Sequence, residues 1–257
     1  VNHESQSPQT PLIIAIDGPA GAGKSTVARL LAGSLGIPCL DTGAMYRAVG
    51  ILARRHGILP PYAGDDAVRI VALLEAHDLE FRPTSEGFAV FLDGEEITTQ
   101  IRSPEASELA SAVSALTPVR RALVPLQRRM AEGTGGVAEG RDVGSVVFPD
   151  ARLKVFLTAS AGERARRRWE DLRRAGCDIS LEEVQEQQRQ RDLRDTTRSD
   201  SPLMIPEGAV VLDTTQLGLE GVVARILREL GKNPGSELDS SADDTVRSRN
   251  HGRLAHE

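Results

Sequence analysis

Residues 12–26, Leu12-Ile13-Ile14-Ala15-Ile16-Asp17-Gly18-Pro19-Ala20-Gly21-Ala22-Gly23-Lys24-Ser25-Thr26, restrict the fold more than any other stretch of the chain. Gly18 through Ser25 match G-x-x-x-x-G-K-[ST], a loop that wraps phosphate groups. Leu12 to Ile16 is an apolar run suited to a buried strand, and Val27, Leu30, Leu31 and Leu35 follow at helical spacing. Such a loop must turn its backbone N–H groups inward, so Gly18, Gly21 and Gly23 are read as removing side chains that would obstruct them. The helix that follows points its positive end at the phosphates. Lys24, expected as an exposed loop cation, supplies charge to the β and γ oxygens, and the Ser25 hydroxyl can bind Mg²⁺. Pro19, Ala20, Ala22 and Thr26 complete the phosphate-binding stretch.

Composition removes several classes. The chain has 257 residues, 40% hydrophobic and 26% charged, enough for one or two soluble domains with a full core. A net charge of −6 argues against binding along a nucleic-acid backbone, although a locally basic cleft remains compatible with it. Cys39 and Cys177 sit in no metal or redox spacing. No apolar run approaches the ~20 residues of a membrane span, and no signal-peptide pattern opens the chain. The expectation is a cytoplasmic protein without membrane or nucleic-acid partner, acting as a monomer. Lysine occurs only at positions 24, 154 and 232, so 28 of the 31 basic residues are arginine, and an arginine cluster is weak evidence on its own.

Taken in order, residues 1–11 read as a disordered lead and 232–257 as a disordered tail, both polar with few large apolar side chains. Ile37 to Leu40 is a second strand, and Asp41-Thr42-Gly43 caps a helix from Ala44 to His56. Residues 60–100 change character: a helix from Asp65 to His77, then strand-like runs at 79–82 and 88–92, with an Asp93-Gly94 turn into a third. An antiparallel meander does not belong in a parallel core, so it is an insertion. Helices follow over 104–113 and 118–131, core strands at 137–139, 153–157 and 209–213, and a last helix over 219–230. Residues 163–200 are dense in charge and short of large apolar side chains, which suits a mobile flap better than a core. The fold class is α/β: a parallel sheet flanked by helices, carrying an inserted antiparallel domain and an arginine-rich lid over about 160–200.

Four further constellations carry chemistry. Thr42 and Arg47 follow the second strand, at the carboxyl edge where ligands bind in such folds; by itself the stretch also reads as a capped helix with a surface arginine. Glu139-Gly140-Arg141-Asp142-Val143-Gly144 follows another core strand, where Arg141 can clamp a phosphate and Asp142 can accept from a base amino group, or the two can form a structural ion pair. Arg164, Arg167 and Arg168 share one helical face, as do Arg191, Asp195 and Arg198. Either set could be a solvated face, but phosphoryl transfer needs cations beyond the loop lysine.

Together, IAIDGPAGAGKST at 14–26, LDTGAMYRA at 40–48, EGRDVGSVVFPDA at 139–151 and RDLRDTTR at 191–198 resemble the bacterial cytidylate kinases. The resemblance covers roughly 12–230 and implies transfer of the γ-phosphoryl group of ATP to CMP or dCMP with Mg²⁺, within a kinase unit over 12–231. It further implies a nucleotide-monophosphate domain near 60–100. Carried over by position, Thr42, Arg47, Ser111, Arg120, Arg141, Asp142, Arg191, Asp195 and Arg198 form the CMP site. Within it, Arg47 and Arg141 hold the phosphate, Arg120, Ser111 and Asp142 lie near the base, and Arg191 with Asp195 lies near the sugar. Lys24, Arg164, Arg167 and Arg168 are the catalytic cations, the last three in the lid. The competing readings are a kinase for UMP or dTMP and a P-loop switch that transfers nothing. A switch that reads guanine by N-K-x-D is disfavoured, since Asn occurs only at 2, 233 and 250. A nucleic-acid ATPase is disfavoured by the 3% aromatic content.

Overall fold

The computed structural model describes residues 11–84 and 87–232. The expectations for residues 1–10 and 233–257 lie outside the described residues. The chain opens with β1 (Ile13–Asp17), α1 (Lys24–Leu35), β2 (Cys39–Asp41) and α2 (Thr42–Arg55), followed by α3 (Asp66–Ala76), β3 (Leu79–Thr84), β4 (Gly87–Leu92) and β5 (Glu95–Glu96). It continues through α4 (Pro104–Val113), α5 (Thr117–Arg129), β6 (Gly136–Gly140), β7 (Leu153–Thr158), α6 (Ala161–Arg174), α7 (Leu181–Thr197), β8 (Val210–Asp213) and α8 (Leu219–Lys232). The last helix therefore takes in Lys232, which the sequence reading assigned to the tail.

Five strands form a parallel sheet in the order β2-β6-β1-β7-β8. Ile14, Ile16, Val137, Val155 and Leu157 pack on one face with Val27 and Leu31 of α1 and Val222 and Ile226 of α8. Ala15, Ala138 and Leu40 pack with Val143 and Ala131 in a separate cluster. Burial on both faces is why the strands read as continuous apolar runs. The insert is the expected meander: β3-β4-β5 is antiparallel, with Leu79 opposite Leu92 and Thr84 opposite Gly87. Val90, Leu92 and Ile97 seat it against Ile51 and Leu52 of α2 and Leu109 of α4.

The charge-dense stretch is not without a core. It is a pair of helices, α6 and α7, gathered around Ala165, Leu172 and Val184, with Trp169, Cys177 and Ile179 packed against them. The Trp169 indole N–H donates to the Ile179 carbonyl at 2.9 Å. Ser180 and Glu183 form a capping box that starts α7. The apolar positions are few and scattered among charges, which hid them in a composition-level reading. Charged side chains do the rest of the anchoring, such as Arg164 to Asp192 at 2.8 Å.

Asp17, at the carboxyl end of β1, ties the sheet to the turn after β6. Its two oxygens accept from the backbone N–H groups of Val143 and Gly144, each at 2.7 Å. Burial pushes the carboxyl up to about 6 despite those donors. Between its unfolded value of 3.8 and about 6 the native state then binds more protons than the unfolded chain, so Asp17's contribution to stability falls as pH rises through that window. Asp17→Asn should remove this slope. Its stability relative to wild type is expected to climb by about 2–3 kcal/mol from pH 4 to pH 7 in parallel denaturant titrations. An unchanged difference across that range would show that Asp17 does not titrate there.

Candidate active site

One cavity of about 1080 Å³ opens at the carboxyl ends of β1, β2 and β6. Its floor is the loop between β1 and α1. Gly18, at φ 147°, has no room for a side chain, because a Cβ would lie 2.0 Å from the Leu157 carbonyl oxygen of β7. Gly21, at φ 77°, abuts the backbone of Arg164 in the same way, at 2.8 Å. These two glycines are thus required by the neighbouring chain.

Lys24 is not the exposed loop cation expected from its sequence. It is the first residue of α1, only 5% exposed, and its Nζ donates to the Pro19 carbonyl at 2.8 Å. Burial, reinforced by the Arg141 charge, brings its amine down to about 7, with Glu139 opposing. The Ser25 hydroxyl donates to Glu139 Oε1 at 2.7 Å. Burial and the nearby Asp41 carboxylate push Glu139 upward, against Lys24 and Ser25. A hydroxyl and a carboxylate side by side at a phosphate loop form an oxygen donor set of the kind Mg²⁺ uses alongside phosphates.

Next to this floor, Asp41 caps α2 by accepting from the Ala44 N–H at 2.9 Å and pairs with Arg47 at 2.6 Å. Burial alone would raise Asp41; Arg47 and the Ala44 N–H overcome it and hold the carboxyl below its ordinary value. Thr42 donates to the Glu139 carbonyl at 2.8 Å, joining β2 to β6. Arg141 is held by Asp195 at 2.8 Å. Arg191 stands near both, and burial with the Arg141 charge lowers it to about 10.

Deeper in the same cavity Arg120 and Asp142 form a short ion pair, 2% and 7% exposed at their side chains. Arg198 Nη2 approaches the other Asp142 oxygen at 3.9 Å. The Arg120 guanidinium also stands 5.4 Å from the Tyr46 ring centroid. Ser111 Oγ, Arg47 Nε, Arg120 Nε, Arg191 Nε and Arg198 Nη2 are buried with no hydrogen-bond partner. Leaving so many donors unpaired is costly, and they ask for a ligand rich in acceptor oxygens.

Of the residues picked out from sequence, the nine proposed for the monophosphate all line this cavity, as do Ala20, Gly21, Gly23, Lys24, Ser25, Thr26 and Arg168. Gly18, Pro19, Ala22, Arg164 and Arg167 do not. Arg164 donates to the carbonyls of Ala159 and Ala20, each at 3.1 Å, and Arg167 is bound to Glu163, Gly21 and Thr214. Arg168 alone of the three reaches the cavity. Sequence reasoning left out Asp17, which β1 carries into the motif itself, and Thr214, which no motif marks. No helix among the described residues is long and apolar enough to cross a membrane.

Known proteins identify the family. A family model described as cytidylate kinase matches residues 14–232. The cytidylate kinase of Caldanaerobacter subterraneus subsp. tengcongensis is 48% identical over 225 residues, covering 88% of this chain and 97% of that protein. That of Carboxydothermus hydrogenoformans is 49% identical over 219 residues, 85% and 97% of the two chains. That of Caldicellulosiruptor bescii is 45% identical over 214 residues, 83% and 93%. With a phosphate loop and a buried arginine–carboxylate pair in one cavity, and with this similarity along nearly the whole described length, the chain belongs to the cytidylate kinase family.

Proposed function

We propose that the cavity holds ATP on the β1–α1 loop and CMP or dCMP against α2, α4, β6 and α7, and that the γ-phosphoryl group passes between them to give ADP and CDP or dCDP. The observation that carries this reading is the set of buried, unpartnered guanidinium donors together with the Arg120–Asp142 pair in the cavity that contains Lys24. Phosphoryl transfer needs little covalent help from the protein and much positioning and charge. Lys24 leaves the Pro19 carbonyl for the phosphate oxygens, and Arg168 adds a second cation from α6. Arg47 and Arg141 take the acceptor's phosphate, each held in place by a carboxylate, and Thr42 stands beside them. Arg191 and Asp195 lie at the sugar. Asp142 accepts from the cytosine amino group, while Arg120, Ser111 and Arg198 supply donors around the base. Mg²⁺ would be held by Ser25 and Glu139, and it would supply neutralising charge to the phosphates.

The test is ADP release from ATP and Mg²⁺ with CMP, dCMP, UMP and dTMP as acceptors. CMP and dCMP are expected to give the highest kcat/KM. A preference for UMP or dTMP would assign the site to another pyrimidine nucleotide, and ATP consumption indifferent to acceptor would overturn the transferase reading.

A further inference from the structure

A phosphate loop is usually described from the inside, by the N–H groups it turns to the ligand. Each peptide that turns its N–H inward turns its carbonyl outward, and those carbonyls also need partners. Here four successive carbonyls of the loop each accept from a side chain. Pro19 takes Lys24 Nζ at 2.8 Å, Ala20 takes Arg164 Nη1 at 3.1 Å, Gly21 takes Arg167 Nη1 at 3.4 Å, and Ala22 takes Thr214 Oγ1 at 3.1 Å.

Thr214 is the centre of this arrangement. It follows β8, is 4% exposed, and its backbone N–H is fixed to the Thr158 carbonyl of β7 at 2.7 Å. Its hydroxyl donates to Ala22 and accepts from Arg167 Nη1 at 3.0 Å, while its carbonyl accepts from Arg167 Nη2 at 2.6 Å. Arg167 is held from the other side by Glu163 at 2.8 Å. We infer that Thr214, Arg164 and Arg167 are positioning residues that clasp the outer carbonyls of residues 20–22 and so keep the loop's N–H groups aimed at the phosphates. Arg164 and Arg167 then act through the loop backbone and do not touch the transferred group. The inference rests on the kinase reading for the identity of the ligand, and its test does not depend on CMP turnover.

The loop cradles the α- and β-phosphates, which ADP and ATP share. A clasp residue therefore affects both nucleotides alike, whereas a cation aimed at the transferred group affects only ATP. Thr214→Val keeps the shape and removes both hydroxyl bonds; Thr214→Ser keeps the hydroxyl; Arg167→Met keeps the stem of a half-buried side chain and removes its donors. Calorimetric titration of each full-length variant with ADP, a non-hydrolysable ATP analogue and CMP, with Mg²⁺ present, reads the difference. The clasp predicts that Thr214→Val and Arg167→Met weaken ADP and the analogue by the same factor, about tenfold. CMP affinity should stay within about twofold, and Thr214→Ser should lie near wild type. If ADP binding is unchanged while the analogue weakens, Arg167 serves the transferred phosphoryl group and the inference falls. It also falls if all three ligands weaken in step with a lower melting temperature, if none weakens, or if serine fails to restore binding. Should Thr214→Val not fold, the equality of the ADP and analogue losses in Arg167→Met decides.

Discussion

Lys24→Met is expected to lower kcat by at least ~10²–10³ while the melting temperature holds or rises. The two halves of this expectation have separate origins. A charge aimed at developing phosphate oxygens in a dry site is worth far more than a surface charge, because the surroundings are already arranged around it. In the free protein the same charge is a burden. Lys24 is 5% exposed, and burial with the neighbouring Arg141 brings its amine down to about 7. An unbranched apolar side chain of similar length fills the space without that cost. Alanine would be a poorer probe, since it opens a void beside Pro19 that the sequence alone did not foresee. Steady-state kinetics at saturating ATP and CMP, with a thermal melt of the same preparation, check both halves. A variant with near wild-type kcat would remove Lys24 from the chemistry.

Asp142→Asn should lower kcat/KM for CMP by about ten- to a hundredfold and change UMP much less. Cytosine presents an amino donor where uracil presents a carbonyl acceptor, and a carboxylate accepts only from the first. A site whose polar groups are left unpaired by the wrong substrate can discriminate strongly. The structure decides which substitution is informative. Asp142 is the buried partner of Arg120, itself 2% exposed. Truncation to alanine would strand that guanidinium and cost about 3–5 kcal/mol, mixing folding with recognition. Asparagine keeps the shape and one acceptor oxygen, and its amide can turn to donate to uracil. The quantity to measure is the CMP/UMP ratio of kcat/KM. Equal losses for both substrates would place Asp142 at the phosphate or in the fold.

Both predictions show where reading the chain worked and where it stopped. The β1–α1 loop, the insert and the turn after β6 were legible because each is a local pattern. The helix expected over 65–77 is α3 at Asp66–Ala76, and the strand runs at 79–82 and 88–92 are β3 and β4. The core of α6 and α7 was not legible, because Ala165, Leu172 and Val184 are scattered among charges. Only the crossing of the two helices brings them together.

The sequence by itself determined the parallel α/β sheet, the phosphate loop at its carboxyl edge, and which short segments return to that edge. Those follow from periodicity, glycine placement and residue chemistry within a dozen residues. Tertiary structure alone decided what the site arginines among the described residues do. An arginine's role depends on its partner, and the partners are remote: Arg141 meets Asp195 across 54 positions, Arg167 meets Thr214 across 47, and Arg164 meets Ala20 across 144. Arg164, Arg167 and Arg168 look alike on a helical face. One turn of helix seats the first two on loop carbonyls and leaves the third in the cavity, because a guanidinium goes to whichever acceptor the fold brings within reach.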